Sequence, residues 1–158
     1  MRRVSFRNMH CSVAQCLEVV GEWWTLLIVR DALLGVARFE DFHDRLGIAR
    51  NVLNQRLITL VEAGVLERVQ YSEHPPRDEY RLTPKGRDLW LVIAALREWG
   101  DRWAAPDGSP LHLVHRACGE ITEIVPTCSA CGETVTDRDL KAIAGRGMRD
   151  SLLPAGRA

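Results

Sequence analysis

Residues 37–83 read ARFEDFHDRLGIARNVLNQRLITLVEAGVLERVQYSEHPPRDEYRLT. Three patterns follow one another in this stretch. Residues 38–46 form a short helical segment with Phe39 and Phe42 turned inward, and Gly47 ends it. Residues 49–63 place Val52, Leu53, Leu57, Leu60 and Val61 on one helical face, and Gly64 stops them. VLERVQY (65–71) then alternates, SEHPPR turns on two prolines, and DEYRLT (78–83) alternates again, as two strands of a hairpin do. A short helix, a tight turn, a second helix and a hairpin follow the winged helix-turn-helix order, in which the second helix of the pair lies in the DNA major groove.

The flanks agree with that order. Residues 13–34 read as one helix, with Leu17, Val20, Trp24, Leu27, Ile28 and Leu34 mostly three or four apart. Pro84 stands where a helix begins at no cost in hydrogen bonds, and the helix it opens runs to Trp103. Its stripe of Leu89, Ile93, Leu96, Trp99 and Trp103 serves either the core or a dimer interface. The tryptophans at 23, 24, 90, 99 and 103 read as core or interface, with an aromatic effector pocket between them as a further reading. AAPDGSP (104–110) breaks the pattern as a linker does. The expected organisation is an arm over 1–10 carrying Arg2, Arg3 and Arg7, a winged helix-turn-helix domain over 11–104, a linker over 105–110, a zinc-ribbon-like β segment over 111–140 and a tail over 141–158. The fold class is mainly α with a small β-hairpin wing. No internal repeat is expected.

Composition bounds the function. The chain has 158 residues, and 46% of them are hydrophobic, enough for a core. It lacks an 18-residue apolar run and an apolar leader behind its first basic residues, so it reads as a soluble cytoplasmic chain with no membrane partner. Five cysteines, an odd number clustered late, do not suit a secreted disulfide framework. Lys plus Arg and Asp plus Glu are both 21, so a nucleic-acid partner has to be argued from local charge.

That local charge is present. No acid occurs between Asp44 and Glu62, while Arg45, Arg50 and Arg56 do. The face opposite the apolar set of residues 49–63 presents Arg50, Asn51, Asn54, Gln55, Arg56 and Thr59. Arginine forks onto guanine and Asn or Gln pairs with adenine, each good two-pronged contact contributing about 1–3 kcal/mol of discrimination. The alternative is an ordinary solvated face. At the hairpin tip Arg77 suits phosphate, His74 more weakly, beside the acids Glu67, Glu73, Asp78 and Glu79.

GEWWTLLIVRDALLG, RFEDFHDRLGIARNVLNQRLITLVEAGVLERVQY and PPRDEYRLTPKGRDL, spanning about Cys11 to Trp103, resemble the HxlR family of bacterial winged-helix regulators, relatives of the MarR type. The Arg38–Phe39 pair, the Leu53 to Leu57 spacing around Gln55 and Arg56, the Glu79-Tyr80-x-Leu82-Thr83 strand and Gly86 carry the match. Ser12 stands where many members have proline, and Ala49 where a Ser or Thr cap is common. The resemblance implies a dimeric transcription factor, usually a repressor, with Arg50, Asn51, Asn54, Gln55 and Arg56 on the recognition helix and Arg77 on the wing. A two-fold dimer with recognition helices about 34 Å apart reads an inverted repeat in double-stranded DNA. Cys11 sits where similar proteins carry a cysteine that is in some of them a redox or electrophile sensor; the plain reading is a buried packing residue. Cys16 reads as core.

The late cysteines form a second motif. HRACGEITEIVPTCSACGE holds His115-x2-Cys118-Gly119 and Cys128-x2-Cys131-Gly132, the look of two zinc knuckles. Three thiolates and one imidazole make a closed structural Zn2+ site, with no open position for catalysis. A hairpin without metal and His112 in place of His115 stay open. A redox role for the Cys128–Cys131 pair is weaker, because that pair does not open a long helix. The expected function is a homodimeric, sequence-specific DNA-binding repressor with structural zinc and no enzymatic activity. A small-molecule or electrophile effector fits it. A zinc-ribbon interaction module that has lost DNA binding is the alternative.

Overall fold

A computed structural model of the chain describes residues 5–9, 11–143, 145 and 146; the expected basic residues Arg2 and Arg3 and the tail from 147 lie outside them. Two compact units form, Met1–Ile93 and Ala94–Ala158. The division falls inside the last long helix rather than at 105–110. In the second unit those residues are tied down: Ser109 donates its hydroxyl hydrogen to Asp101 at 2.8 Å, and Arg97 donates to the Leu111 carbonyl at 2.9 Å.

The first unit opens with α1 (Ser12–Val20) and α2 (Trp23–Leu33). The single helix expected over 13–34 is broken here, and its halves are bent by 81°. Gly21 is the cause. Its N–H caps the Leu17 carbonyl at 2.9 Å, and a Cβ at 21 would fall 2.3 Å from that oxygen. Residues 5–9 lie on α1: Glu18 accepts from the Phe6 N–H at 2.8 Å and Gln15 donates to the Met9 carbonyl at 2.7 Å.

The helix pair is α3 (Phe39–Leu46) and α4 (Arg50–Glu62), third and fourth in the chain because the segment expected as one helix over 13–34 forms two. The wing is β1 (Leu66–Glu73) against β2 (Pro76–Leu82), antiparallel from Leu66↔Leu82 out to Glu73↔Pro76. It is longer than the alternation indicates, and Tyr71 is the extra residue where the register shifts between Gln70 and Ser72. The Tyr80 N–H donates to the Ala37 carbonyl at 2.7 Å and Arg38 bridges to Glu79, which ties the wing to the start of α3.

The core joins these elements: Ile28 and Val29 of α2, Phe42 of α3, Ile48 of the turn, Leu53, Leu57 and Leu60 of α4, and Val65, Leu66 and Leu82 of the wing are buried. Among the described residues one buried charge accompanies them. Asp31, fully withdrawn from water, accepts from Arg30 Nε at 2.9 Å and from Arg45 Nε at 3.2 Å, so it pins α3 to α2. A lone buried carboxylate would be costly, and the two guanidinium groups offset that cost.

The helix expected over 84–103 divides into α5 (Pro84–Arg87) and α6 (Trp90–Trp103). Its stripe divides too. Leu89 and Ile93 rest on the core, whereas Leu96, Trp99 and Trp103 are exposed at 50%, 63% and 70%. Thr83 caps α5 by accepting from the Gly86 N–H, and Lys85 reaches back to the Ala63 carbonyl at the end of α4. Among the described residues no single helix is long and apolar enough to cross a membrane.

The second unit continues from α6 into β3 (Leu113–Val114) and β4 (Ile121–Thr122), paired antiparallel, and a lone bridge between Thr127 and Thr134. An internal repeat, not expected from the sequence, is present here. Residues 114–121 and 127–134 are two copies of one turn, thirteen positions apart. The repeat is short and its two copies share only the ACGE string, which is why it escapes a reading by periodicity.

Gly86 is buried with its Cα against the wing, and a Cβ there would lie 2.1 Å from the Val65 carbonyl oxygen. Gly86→Ala is expected to destabilise the protein by about 1–3 kcal/mol in urea unfolding, as overpacking against backbone does. Unchanged stability would show that the wing and α5 yield at this contact.

Candidate nucleic-acid interface

The turn between α3 and α4 is short because Gly47 takes the left-handed region, φ +63°, and donates its N–H to the His43 carbonyl. Ile48 is then buried and fixes where α4 starts. Ala49 caps α4 through its carbonyl alone, which accepts from Val52 and Leu53, and no acid stands in the first turn. The positive end of this helix is therefore open to solvent and anions.

The faces of α4 are cleanly separated. Leu53, Leu57 and Leu60 are fully buried, and Arg50, Asn51, Asn54, Gln55 and Ile58 are exposed. Asn51, Asn54, Gln55 and Ile58 fall on one face at helical spacing. Ile58 had no polar signal in the sequence to mark it, yet it completes that face.

The expected site arginines are placed in different ways. Arg50 makes a two-pronged ion pair with Glu40 of α3, one arm at 2.7 Å, and its guanidinium lies over the Phe39 ring at 4.9 Å. The Arg50 guanidinium holds the Glu40 carboxyl below its ordinary range, and Glu40 in turn raises Arg50. Both side chains are more than half exposed, so the pair sets orientation more than stability. Arg56 turns the other way. It pairs with Glu22 at the start of α2 at 3.4 Å, is only 25% exposed, and its buried Nε has no hydrogen-bond partner among the described residues. Four of the five expected helix residues thus share the outward side, and Arg56 faces the protein. The sequence signal for this was Glu22, too distant to be linked to Arg56 without the fold.

On the wing, Arg77 is exposed next to the tip and makes no ion pair among the described residues. Arg68 pairs with Asp78 and Arg81 with Glu79, so two of the wing's four acids are matched by its own cations. Arg38 lies over the bulged Tyr71 at 4.7 Å.

The cysteines lie apart from this surface in sequence and in kind. Cys11 is the residue before α1, half-buried and making no side-chain cap; Cys16 is half-buried rather than core. In the second unit His115 Nδ1 lies 3.3 Å from Cys118 Sγ. The N–H groups of Cys131 and Ala130 turn toward the Cys128 sulfur and hold its thiol below the ordinary range. Among the described residues no three metal-ligating side chains converge on one point.

Residues 19–108 match the family model of the HxlR-like helix-turn-helix. The chain belongs to that family. Its relatives include an uncharacterised HTH-type transcriptional regulator of Mycobacterium tuberculosis, Rv3095, 46% identical over 89% of this chain and 90% of that protein. Among solved structures it is similar to PA1607, a candidate transcription factor, with a TM-score of 0.80 and 38% identity over 90% of this chain and all of that one. It is also similar to the redox regulator HypR in its oxidised form, with a TM-score of 0.54 and 31% identity over 58% of this chain and 96% of that one. The family member described here is thus a helix-turn-helix transcriptional regulator, and its likeness to Rv3095 and PA1607 extends over the second unit as well as the winged domain.

The Arg50–Glu40 clamp has a titration signature. A carboxyl held low by a cation keeps the pair at neutral pH and loses it as pH falls through the lowered Glu40 value. NMR carboxyl titration is expected to place Glu40 below an ordinary glutamate, and Arg50→Ala to return it upward. Equal midpoints in the two proteins would remove the clamp.

Proposed function

We propose that this regulator is a homodimeric repressor that reads an inverted repeat in double-stranded DNA through α4 and braces its wing on the backbone. The observation that carries the reading is the outer face of α4: exposed amides at 51, 54 and 55 on a helix fixed by a wholly buried leucine stripe. Asn51, Asn54 and Gln55 supply the donor–acceptor pairs for adenine edges, Ile58 the apolar contact for a thymine methyl, and Arg50 the fork for guanine once it leaves Glu40. The open N-terminus of α4 and Arg77 serve phosphate. Arg56 supports the helix from behind through Glu22.

The dimer reading rests on α6. Val92, Leu96, Trp99 and Trp103 are four, three and four residues apart, so they form one stripe, and all are exposed. Two exposed tryptophans on one stripe mark an association face, and a second copy supplies a self-complementary partner. Repression follows from occupancy of the operator. Cys11, beside α1 and half-buried, is the position at which an oxidant or electrophile would act on the dimer.

Selection from random duplex DNA at moderate salt is expected to enrich an inverted repeat; no enriched sequence would overturn the reading. Asn54→Ala and Gln55→Ala are each expected to weaken binding by about 10- to 100-fold at one base position and leave other positions intact. Arg77→Ala is expected to weaken all duplexes alike and lower the salt slope by about one. Trp99→Glu is expected to give a monomer in sedimentation analysis and to abolish operator binding.

A further inference from the structure

The two copies of the C-terminal turn agree in their backbone down to individual hydrogen bonds. Val114 pairs with Ile121 across the first, and Thr127 with Thr134 across the second. Between them stand HRACGE (115–120) and CSACGE (128–133). The His115 N–H donates to the Glu120 carbonyl at 2.9 Å and the Gly119 N–H to the His115 carbonyl at 2.8 Å. The Cys128 N–H donates to the Glu133 carbonyl at 2.8 Å and the Gly132 N–H to the Cys128 carbonyl at 2.8 Å. Gly119 and Gly132 both take the left-handed region, φ +76° and +79°. Each turn therefore presents its first and fourth side chains together, His115 with Cys118 and Cys128 with Cys131.

The difference between the copies reveals their chemistry. A dithiol redox turn needs sulfur at both positions, and the first copy has imidazole where the second has a thiol. Imidazole and thiolate are equivalent only as ligands to a borderline-soft cation, of which zinc is the common one. The spacing within a turn suits that ion. Zn–N near 2.0–2.1 Å and Zn–S near 2.3 Å place N and S about 3.6 Å apart at a tetrahedral vertex, and His115 Nδ1 to Cys118 Sγ is 3.3 Å. The segment also lacks what otherwise holds a chain of this size together. Its strands are two residues long, and Val114, Ile121 and Val125 are exposed at 54%, 65% and 52%.

We propose that the two turns jointly hold one Zn2+ through His115, Cys118, Cys128 and Cys131, and that this ion takes the place of an apolar core in residues 113–134. Each turn is a ready two-donor clamp, while no three donors converge among the described residues. The ion therefore draws the clamps together as it binds, displacing three thiol protons to solvent, and its uptake is coupled to the ordering of the segment. The site is closed and structural.

Zinc content of the full chain purified under reducing conditions, followed by cobalt titration of the zinc-stripped protein, tests this. One zinc per chain is expected, with the intense visible bands of a tetrahedral thiolate-rich cobalt site. Cys118→Ser, Cys131→Ser and His115→Ala are each expected to lose that spectrum; His115→Cys keeps it, displaced, and Cys11→Ser and Cys16→Ser leave it unchanged. Zinc is expected to slow tryptic cleavage at Arg116 in the wild type and not in Cys131→Ser. A chain that binds neither metal, or a spectrum indifferent to Cys131→Ser, overturns the proposal. Loss with His112→Ala but not with His115→Ala overturns the ligand assignment. A Cys128–Cys131 disulfide that forms in zinc-loaded buffer without metal uptake overturns the structural role.

Discussion

Leu53, Leu57 and Leu60 stand about one turn apart along α4, and none of them touches water. Each fully buried leucine contributes about 1.5–3 kcal/mol relative to exposure, so rotating α4 about its axis would forfeit several kcal/mol. This one stripe fixes which side of the helix meets solvent. Through it α4 engages Ile28 and Val29 of α2, Phe42 of α3 and the roots of both wing strands. The remaining devices hold the neighbours to that helix: Asp31 ties α3 to α2 through Arg45, Ala37 ties the wing to α3, and Lys85 closes the last turn of α4. The outward amides are thus set by a hydrophobic constraint on the opposite side.

Charge is handled differently from what a zero net balance suggests. Several acids near the proposed DNA face are each matched with an arginine: Glu40 with Arg50, Glu22 with Arg56, Asp78 with Arg68, Glu79 with Arg81. Exposed pairs of this kind contribute little to stability, so they are readily exchanged for a stronger anion. A surface that is neutral in the free protein can therefore offer cations to a phosphate backbone, at the cost of breaking a weak pair. Arg50 has this property, with its partner on α3 and its stem against Phe39. Arg56 does not, because its side chain is three-quarters covered and its guanidinium pairs with Glu22 at the start of α2.

The two units solve the problem of cohesion in different ways. Among its described residues Met1–Ile93 has a contiguous core of ten buried apolar side chains. Residues 113–134 have two turns, minimal strands and exposed apolar side chains. Their order comes from backbone hydrogen bonds within each turn, and the proposed zinc ion would supply the link between turns that burial does not.

Much of this was legible in the residues alone. Helical periodicity at Leu53, Leu57 and Leu60, alternation in 65–71 and 78–83, and glycines at 47 and 64 determined the element order and the outward set at 50, 51, 54 and 55, because local propensity and burial agree there. The two Cys/His pairs were equally plain. What the sequence left undecided depended on contacts between distant residues. Gly21 is required at the bend between α1 and α2 only because the folded chain brings the Leu17 carbonyl where a Cβ would stand. The stripe of α6 divides at Ile93 because the core ends there, which periodicity cannot register. Arg50 and Arg56 look alike in sequence, six residues apart on one helix. Tertiary structure alone decided that one meets Glu40 at the surface and the other meets Glu22 in a half-buried pair, since an ion pair is a matter of distance in space rather than along the chain.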